Sequence, residues 1–545
     1  MARPKAMPRA ILFGEPCRRR RHRANFRYWF RDATSLAEVS DFIVIGAGSA
    51  GCAVGHGLAT HSDATVCVLE AGRSDAVPQV KVPFGLLYTM GSGRDWRFKS
   101  TAQTDANRRE LSINRGKMLG GSSSINSMVW FRGRMDDFDQ WDVPGWAWSD
   151  VSPDFEEVEQ LISPMRHPDP HPLAEAFGRT LGSNGHAPPT PERESAGVFD
   201  ANMRNGRRWS AADAFLRPAE RTGRLKVVTA ATIDRVECDD GQANRVRLAD
   251  GRIFQARRGI VVSAGSIGSP AILLRSGIGP GSALKKLGIE VIADLPGVGQ
   301  NLHDHPAVGL HHQGPKSGYG LTLDQAPAWI ASPVHWALRR KGRMTSNFVE
   351  AGAFFRAAPV GPDGDDRPDV QTHFIPYMMG YRGRTIIAGS GYFADVCVCR
   401  PVSRGALTLA SADPQVSPNI DLGVLRDEAD LAVLVAGLKR LRQILASAPF
   451  GDRTAPEVFP GPDVTSDRDL AGYARDRCGT AYHPVGTVRM GADDAPLTPG
   501  LAVRGIRNLW VADASIMPRI TSANTNAPSM MIGHRAAKLI IRSEQ

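Results

Sequence analysis

The feature that most constrains the fold is a strand, a glycine turn and a helix in residues 41–59, DFIVIGAGSAGCAVGHGLA. The apolar run before Gly46 predicts a buried strand, and the small residues after Gly51 predict a helix packed closely on a sheet. A second apolar run, TVCVLEAG at 65–72, predicts the next parallel strand. Together these segments form a βαβ unit, which requires a parallel sheet covered by helices.

The glycines of this unit predict a dinucleotide site. Gly46 permits the tight turn, Gly48 lets backbone approach a pyrophosphate, and Gly51 lets helix and strand pack. The helix N-terminus supplies N–H groups for the phosphates. Glu70 ends the next strand, at the position where an acidic side chain hydrogen-bonds to the ribose hydroxyls of a dinucleotide. An acid there disfavours binding of NADP, but it does not distinguish NAD from FAD. The neighbouring residues assigned to the same site are Ser49, Ala50 and Ala71.

Charge is concentrated at the N-terminus. Residues 1–40 hold ten basic and three acidic side chains, so they carry +7 of the net charge of +10. The remaining chain is nearly neutral, which argues against a nucleic-acid-binding protein. We expect 1–40 to be a disordered extension, although a basic tail also suits contact with an anionic membrane.

Cysteine usage and hydropathy favour a cytoplasmic location. The seven cysteines are scattered and form no metal or redox motif, so no metal site is predicted. No run of about 18 apolar residues predicts a spanning helix. Contact with a membrane would therefore be peripheral.

A second glycine-rich stretch, GKMLGGSSSIN at 116–126, identifies the cofactor through a family resemblance. With Trp130 and Gly133, it resembles the first signature of the glucose–methanol–choline (GMC) family of FAD oxidoreductases. The segment GSIGSP, which begins at Gly265, resembles the second signature of the same family. Two further segments are also similar to the family: GVGQNLHDH at 297–305 and AYHPVGTVRMG at 481–491.

The resemblance implies an α/β (α+β) architecture, with a Rossmann-like FAD domain and a substrate domain built on an antiparallel sheet and helices. The implied divisions are 41–310 as the mainly FAD-binding N-terminal region, with a substrate-domain insertion at about 156–222, then 311–477 as the mainly substrate-binding domain, and 478–545 as the segment that returns to the FAD domain with the catalytic residues.

FAD is the cofactor that the resemblance implies. The loop at 116–126 would lie over the flavin, where small residues let backbone N–H groups approach the ring. Members with covalently attached FAD carry histidine where this chain has Ile125, so we expect a non-covalent flavin. The further contacts predicted in this way are Met118, Gly120, Gly121, Ser122, Asn126, Ile233, Ala264, Gly265, Asp513, Ala514 and Asn524.

His483 is the catalytic histidine that the resemblance implies. An imidazole can accept the hydroxyl proton of an alcohol at neutral pH while hydride moves to flavin N5. The second catalytic position, a histidine or asparagine in the family, maps to Asn526, with Asn524 a weaker candidate. For the histidines of 303–305 we expect a structural hydrogen-bonding role.

We therefore predict an FAD-dependent oxidation of a primary alcohol to an aldehyde, by a monomer or dimer. The acceptor stays open between O2 and a quinone or dye. Glu350 lies where choline-oxidising relatives have a carboxylate, but uncharged aliphatic or aromatic alcohols are favoured over a cationic one. The alternatives are a non-redox relative of the hydroxynitrile lyase type and, less favoured, a flavin photodecarboxylase.

Overall fold

The computed structural model describes residues 38–544, except 186, 316, 358–365, 378–388 and 492–493. The prediction of a disordered extension at 1–40 falls almost wholly outside the described residues. The elements within them follow the strand and helix runs expected from the sequence closely.

Helices and strands alternate along the first part of the chain. The longer helices are α1 Ser49–His61, α2 Trp148–Ile162, α3 Gly265–Arg275, α4 Ala326–Arg339, α5 Glu428–Ala446, α6 Asp467–Arg477 and α7 Asn526–Ser543. Shorter helices span Pro78–Lys81, Leu86–Thr89, Met135–Asp139, Pro172–Phe177, Arg217–Glu220 and Gly281–Lys286. The strands of the two main sheets are β1 Glu38–Ile45, β2 Val66–Leu69, β3 Ser195–Val198, β4 Leu225–Val228, β5 Ile233–Asp239, β6 Gln242–Leu248, β7 Ile253–Val262, β8 Pro306–Gln313, β9 Ala351–Phe355, β10 Val370–Ile375, β11 Gly391–Val398, β12 Glu457–Phe459, β13 Gly479–Thr480 and β14 Leu509–Val511.

The first sheet is Rossmann-like. Its order is β4-β2-β1-β7-β6-β5, and β14 pairs with the C-terminal half of β7. The pairs among β4, β2, β1, β7 and β14 are parallel, whereas β5, β6 and the start of β7 form an antiparallel meander. The parallel strands therefore end at one edge, where ligands bind in open sheets of this kind.

The second sheet is antiparallel throughout. Its order is β12-β8-β11-β10-β9-β3, and β13 also pairs with β8. The sequence prediction of a Rossmann-like unit joined to an antiparallel sheet is confirmed. We take the two sheets as the centres of the two domains, whose boundaries stay a proposal.

Helix α1 fixes the position of helix α7. A Cβ on Gly57 would lie 2.5 Å from the Cβ of Ala537, and a Cβ on Gly533 would lie 2.2 Å from the carbonyl oxygen of Ala50. The two helices can approach this closely only because these positions are glycine. The close approach brings the N-terminus of α7 beside the first glycine loop.

None of the helices in the described ranges combines the length and the apolarity that a bilayer-spanning segment needs.

Candidate active site

A cavity of about 1050 Å³ opens where the parallel strands end. Its walls come from the first sheet, the two glycine loops and the interior strands β8, β10 and β11 of the second sheet. The sequence-predicted residues that line it are Gly46, Gly48, Ser49, Ala50, Glu70, Ala71, Gly121, Ser122, Asn126, Ile233, Ala264, Gly265, His483, Asp513, Ala514, Asn524 and Asn526.

Three of the predicted residues, Gly51, Met118 and Gly120, do not line the cavity. A Cβ on Gly51 would lie 1.9 Å from the carbonyl oxygen of Gly46, so this glycine permits the turn itself. Met118 is fully buried with Ile125, and Gly120 holds a left-handed φ of +82°. We infer that these three residues set the backbone conformation of the segments that line the cavity.

The two glycine loops fold against each other. The backbone N–H of Gly120 donates to the carbonyl oxygen of Ala47 at 2.7 Å. Gly121 has a φ of +52°, and a Cβ there would lie 2.7 Å from the Cα of Gly48. The double glycine at 120–121 is therefore required by the contact with the first loop as well as by close approach to a ligand.

Three helices begin at the cavity: α1 at Ser49, α3 at Gly265 and α7 at Asn526. No N-cap side chain bonds to the first turn of any of the three. At α3 the N–H of Gly265 is already taken by the carboxylate of Asp513, so the first N–H groups of α1 and α7 and the positive ends of their dipoles are the ones available to an anionic ligand. This arrangement suits a molecule with several phosphates.

Two buried carboxylates connect the loops at this edge. Glu70 accepts hydrogen bonds from the backbone N–H of Ala47 at 2.9 Å and of Gly72 at 2.7 Å. Burial raises the pKa of Glu70 to about 7. Asp513 accepts from the N–H of Gly265 at 2.8 Å and so joins the strand β14 edge to helix α3.

A chain of hydrogen bonds fixes the protonation of His483. The Nε2 of His305 lies 3.0 Å from the carbonyl oxygen of Thr521, and its Nδ1 lies 3.0 Å from Nδ1 of His483. A carbonyl oxygen only accepts, so the Nε2 of His305 carries the proton and its Nδ1 is an acceptor. Burial lowers the pKa of His305 to about 3, which keeps that ring neutral.

It follows that Nδ1 of His483 donates to His305. The Nε2 of His483, a residue that lines the cavity, then carries the lone pair, which accepts from Nδ2 of Asn524 at 3.0 Å. Burial, with His305, His373 and Arg115 nearby, holds the pKa of His483 well below its usual range. The ring is therefore a neutral base whose lone pair is directed by the protein.

The LHDH turn at 302–305 holds this arrangement in place. Asp304 Oδ1 accepts from the backbone N–H of His483 at 2.8 Å. His303 donates from Nδ1 to the carbonyl oxygen of Asn301 at 2.6 Å, and its Nε2 accepts from the N–H of Ile520 at 2.9 Å. His303 and Asp304 thus clamp the two C-terminal segments that carry the site, whereas His305 acts on the His483 ring.

The two candidate asparagines occupy different positions. Asn524, the weaker candidate from the sequence, makes the hydrogen bond to His483, and its Oδ1 accepts from Gln371 at 2.9 Å. Asn526 accepts from the hydroxyl of Ser49 at 2.8 Å. The Nδ2 of Asn526 is buried and has no partner among the described residues, so it is a donor available in the cavity wall.

The structure adds a histidine that sequence reasoning missed. His373 lines the cavity, and its Nδ1 lies 3.1 Å from the Asp395 carboxylate. Burial alone would lower the pKa of His373, but the charge of Asp395, its hydrogen bond and that of Asn524 together outweigh burial and raise the pKa. Only the pairing of β10 with β11 brings these residues together, although the histidine in PDVQTHF was a visible signal.

Glu350 lies outside the cavity lining. Its carboxyl accepts from the backbone N–H of His171 at 2.6 Å and from the hydroxyl of Ser346. The side chain is fully buried, which raises its pKa to about 7. The neighbouring Phe348 and Val349 line the cavity instead.

A separate cluster of Asp154, Glu157 and His534 lies on helices α2 and α7. Lys538 donates to both carboxylates at 2.8 Å, and Arg535 donates to Asp154 at 2.6 Å. His534 itself is 2.8 Å from Glu157 and only 2% exposed. These cations neutralise the carboxylates, so the cluster is a packed ion-pair network between two helices.

Comparison with known proteins decides which family has this arrangement. The two models of GMC oxidoreductases match residues 40–307 and 401–533. An alcohol dehydrogenase [acceptor] of Pseudomonas putida is 35% identical over 534 residues, which cover 92% of this chain and 96% of that protein. The chain belongs to the GMC oxidoreductase family. It is thus an FAD-dependent enzyme that acts on alcohol-type substrates.

Other GMC oxidoreductases also resemble the chain over most of its length. An oxygen-dependent choline dehydrogenase of Rhizobium johnstonii is 36% identical over 92% of this chain and 95% of its own. The solved formate oxidase of Aspergillus oryzae RIB40 superposes with a TM-score of 0.83 at 26% identity, covering 93% of this chain and 98% of that one. A pyridoxine 4-oxidase of Mesorbium loti superposes with a TM-score of 0.78 at 26% identity, and the match covers 91% of this chain and 98% of that one.

The cavity fits the FAD that this family binds. Two glycine loops approach so closely that a Cβ on Gly46 would lie 2.6 Å from the carbonyl oxygen of Ser263. The uncapped N-termini of α1 and α7 suit the two phosphates, and the volume admits a ligand of this size. The buried Nδ2 of Asn526, which has no partner among the described residues, supplies a donor beside the first glycine loop.

Proposed function

We propose that the protein oxidises a primary alcohol to an aldehyde, with His483 as the base. The observation that carries this proposal is the lone pair on Nε2 of His483, held toward the cavity by His305. Nε2 takes the hydroxyl proton of the alcohol as the C–H bond breaks. FAD, when bound, supplies the acceptor for the hydride that leaves the alcohol carbon.

The resulting imidazolium stays beside the reacting oxygen. There it stabilises the negative charge that develops as the proton leaves. The protonated ring has donors at both nitrogens, so it keeps its bond to His305 and can donate from Nε2. Proton transfer therefore leaves the hydrogen bond between the two histidines in place.

We propose distinct roles for the two asparagines. Asn524 orients the His483 ring in the absence of substrate and yields its place at Nε2 when an alcohol enters. Asn526 presents its free Nδ2 to the substrate oxygen or to a polar edge of the cofactor. Both asparagines line the same cavity. The catalytic role that the sequence predicts for Asn526 is therefore kept as a proposal.

For the cofactor we propose that helix α1 and the first glycine loop hold the phosphates. Glu70 and the backbone of Ile233 would then serve the adenosine end. Asp513, through helix α3, would hold the middle of the molecule. The loop with Gly121 and Ser122 would cover the flavin.

We propose an uncharged alcohol as substrate. A quaternary ammonium ion needs a carboxylate or an open aromatic face beside it. Both oxygens of Glu350 already accept hydrogen bonds behind the cavity wall. The carboxylate that does line the cavity, Asp395, is paired with His373 at 3.1 Å, and Nε2 of His373 lies 3.5 Å from Nδ2 of Asn524. That arrangement favours an electron-rich oxygen over a cation.

We further propose a cytoplasmic protein, because the six cysteines in the described ranges are free thiols. The acceptor is O2 or a quinone. The relatives named above include oxidases, an oxygen-dependent choline dehydrogenase and an alcohol dehydrogenase [acceptor], and one experiment separates O2 from a quinone.

The test is anaerobic bleaching of the purified protein at about 450 nm, an absorption that the bound flavin supplies. Benzyl alcohol and a medium-chain alkanol should bleach it, whereas choline at the same concentration should not. Recolouring on admission of air identifies an oxidase, and recolouring only with a quinone identifies a dehydrogenase. If no alcohol in a wider panel bleaches the flavin, the proposed reaction is wrong, and a lyase assay with mandelonitrile becomes the next measurement.

We propose that the flavin is held without a covalent bond. Ile125 is buried at the cavity wall and has no nucleophilic atom that could bond to the ring. Precipitation with trichloroacetic acid should leave all of the yellow colour in the supernatant. A yellow pellet above a colourless supernatant would show a covalent bond to another residue.

A further inference from the structure

Helix α4 presents an apolar face to solvent. Three of its side chains, Ile330, Val334 and Leu338, are spaced by four residues and are 79%, 62% and 79% exposed. Leu323, one turn before the helix, is 95% exposed. At 100° per residue these four side chains share one stripe. Isolated apolar residues on a surface are ordinary, but a stripe along a whole helix is not.

The opposite face of α4 anchors the helix to the protein. Trp329 donates from Nε1 to the carbonyl oxygen of Gly320 at 2.8 Å, and Trp336 donates to the carbonyl oxygen of Gly206 at 2.8 Å. Ser332, on the same side, is buried. The apolar stripe is therefore directed outward by these contacts and cannot be turned inward without breaking them.

Cationic side chains gather at the C-terminal end of α4. They come from the last residue of α4, the two residues after it and a neighbouring hairpin formed by Met203–Arg204 and Arg207–Arg208. The guanidinium groups of Arg340 and Arg207 lie 4.2 and 5.8 Å from the ring of Trp336. Within the part of the chain that the structure describes, no ion pair is formed by the members of this basic cluster, which are Arg204, Arg207, Arg339, Arg340 and Lys341.

The helix is also linked to the cavity by aromatic rings. The ring of Trp329 lies 5.2 Å from that of Phe84, which stacks on Phe348 at 5.1 Å. Phe348 lines the cavity. Whatever binds to the outer face of α4 therefore lies two rings away from a residue of the active site.

We propose that helix α4 docks the protein on an anionic phospholipid bilayer. The apolar stripe would enter the boundary between headgroups and acyl chains, while the basic cluster would contact lipid phosphates. With fourteen residues the helix is too short to span a bilayer, so it lies in the plane of the interface.

Charge decides between a bilayer and a second copy of the chain. Pairing two copies through α4 would gather two basic clusters around one apolar contact, and like charges in one interface repel. An anionic surface instead neutralises the cluster. Docking would place the aromatic chain beside the bilayer, where lipid-soluble quinones and long-chain alcohols dissolve, but the docking itself does not depend on the proposed reaction.

The test is flotation of the full-chain holoenzyme with vesicles of phosphatidylcholine alone or mixed with an equal part of phosphatidylglycerol. We expect binding to the mixed vesicles, reduced at least about tenfold in the triple variant Ile330→Ser, Val334→Ser, Leu338→Ser. The matched control, Ile292→Ser with Val402→Ser, removes exposed apolar side chains elsewhere, at 43% and 55% exposure, and should bind like the parent.

Three outcomes would overturn the proposal. The parent protein does not float with anionic vesicles, or the triple variant floats as well as the parent. In the third outcome, light scattering shows that the parent is a dimer and the triple variant is a monomer. That result would assign the apolar face of α4 to contact with a second copy of the chain. Anaerobic bleaching by the alcohol should be equal in all variants, so failure of docking and failure of the proposed reaction are read separately.

Discussion

Replacing His483 with alanine is expected to lower the rate of flavin reduction by about 10²- to 10⁴-fold while FAD stays bound. The variant loses the lone pair that takes the hydroxyl proton in the proposed reaction, and His305 does not replace it because its Nδ1 lies behind the missing ring. The rate should be measured by stopped-flow bleaching under anaerobic conditions at saturating alcohol.

A matched control removes a buried histidine away from the cavity. His56 is 9% exposed, packs against Phe215 at 5.7 Å and does not line the site. The variant His56→Ala should bleach at the parent rate after correction for flavin content. Parent-like bleaching in His483→Ala would exclude this residue as the base, and loss of FAD from it would show a role in cofactor binding.

Substitution of His305 is expected to separate its chemical role from packing. Asparagine places Oδ1 near the position of the imidazole Nδ1, so His305→Asn should still accept from His483 and keep most of the rate. Glutamine reaches toward Thr521 with its amide but leaves Nδ1 of His483 without an acceptor. We therefore expect His305→Gln to reduce flavin about 10- to 100-fold more slowly than the parent.

The pH profile supplies a readout that packing would not change. His305 is one of the groups that hold the pKa of His483 below its usual range, after burial. A base with a lowered pKa stays unprotonated as pH falls, so the parent should keep its rate below pH 6.5, the ordinary value for histidine. Without the second imidazole the pKa of His483 rises, and the acidic limb should move to higher pH in both variants.

Equal rates in the asparagine and glutamine variants, with the acidic limb unmoved, would contradict the tautomer assignment. His305 would then be a packing residue of the LHDH turn like His303. The bound flavin spectrum and the melting temperature should be compared alongside, because both variants remove a fully buried ring.

The cofactor site was predictable because its signals are local. A strand, a glycine turn and a helix follow each other without interruption around Gly46, so their geometry is fixed by neighbouring residues. The same holds for the glycine pair at 120–121, whose backbone needs φ values that other residues resist. The contact of Gly121 with Gly48 could not be predicted, since it joins loops far apart in the chain.

The charges of the active site depended on long-range contacts. His373 receives its carboxylate from Asp395 through the pairing of two strands. Glu350 is turned behind the wall by His171 and Ser346, a result that no pattern around it indicates. The division into domains stays a prediction, although the two sheets are consistent with it.

The sequence by itself determined the Rossmann-like unit, the family, the cofactor and the position of His483 in the chain. These follow from short segments in which glycine and apolar spacing restrict the backbone. Only the tertiary structure decided which nitrogen of His483 carries the lone pair, which asparagine contacts it, and that the face of α4 is left exposed. Each of these depends on hydrogen bonds or packing between segments tens to hundreds of residues apart, and such contacts leave no trace in local spacing.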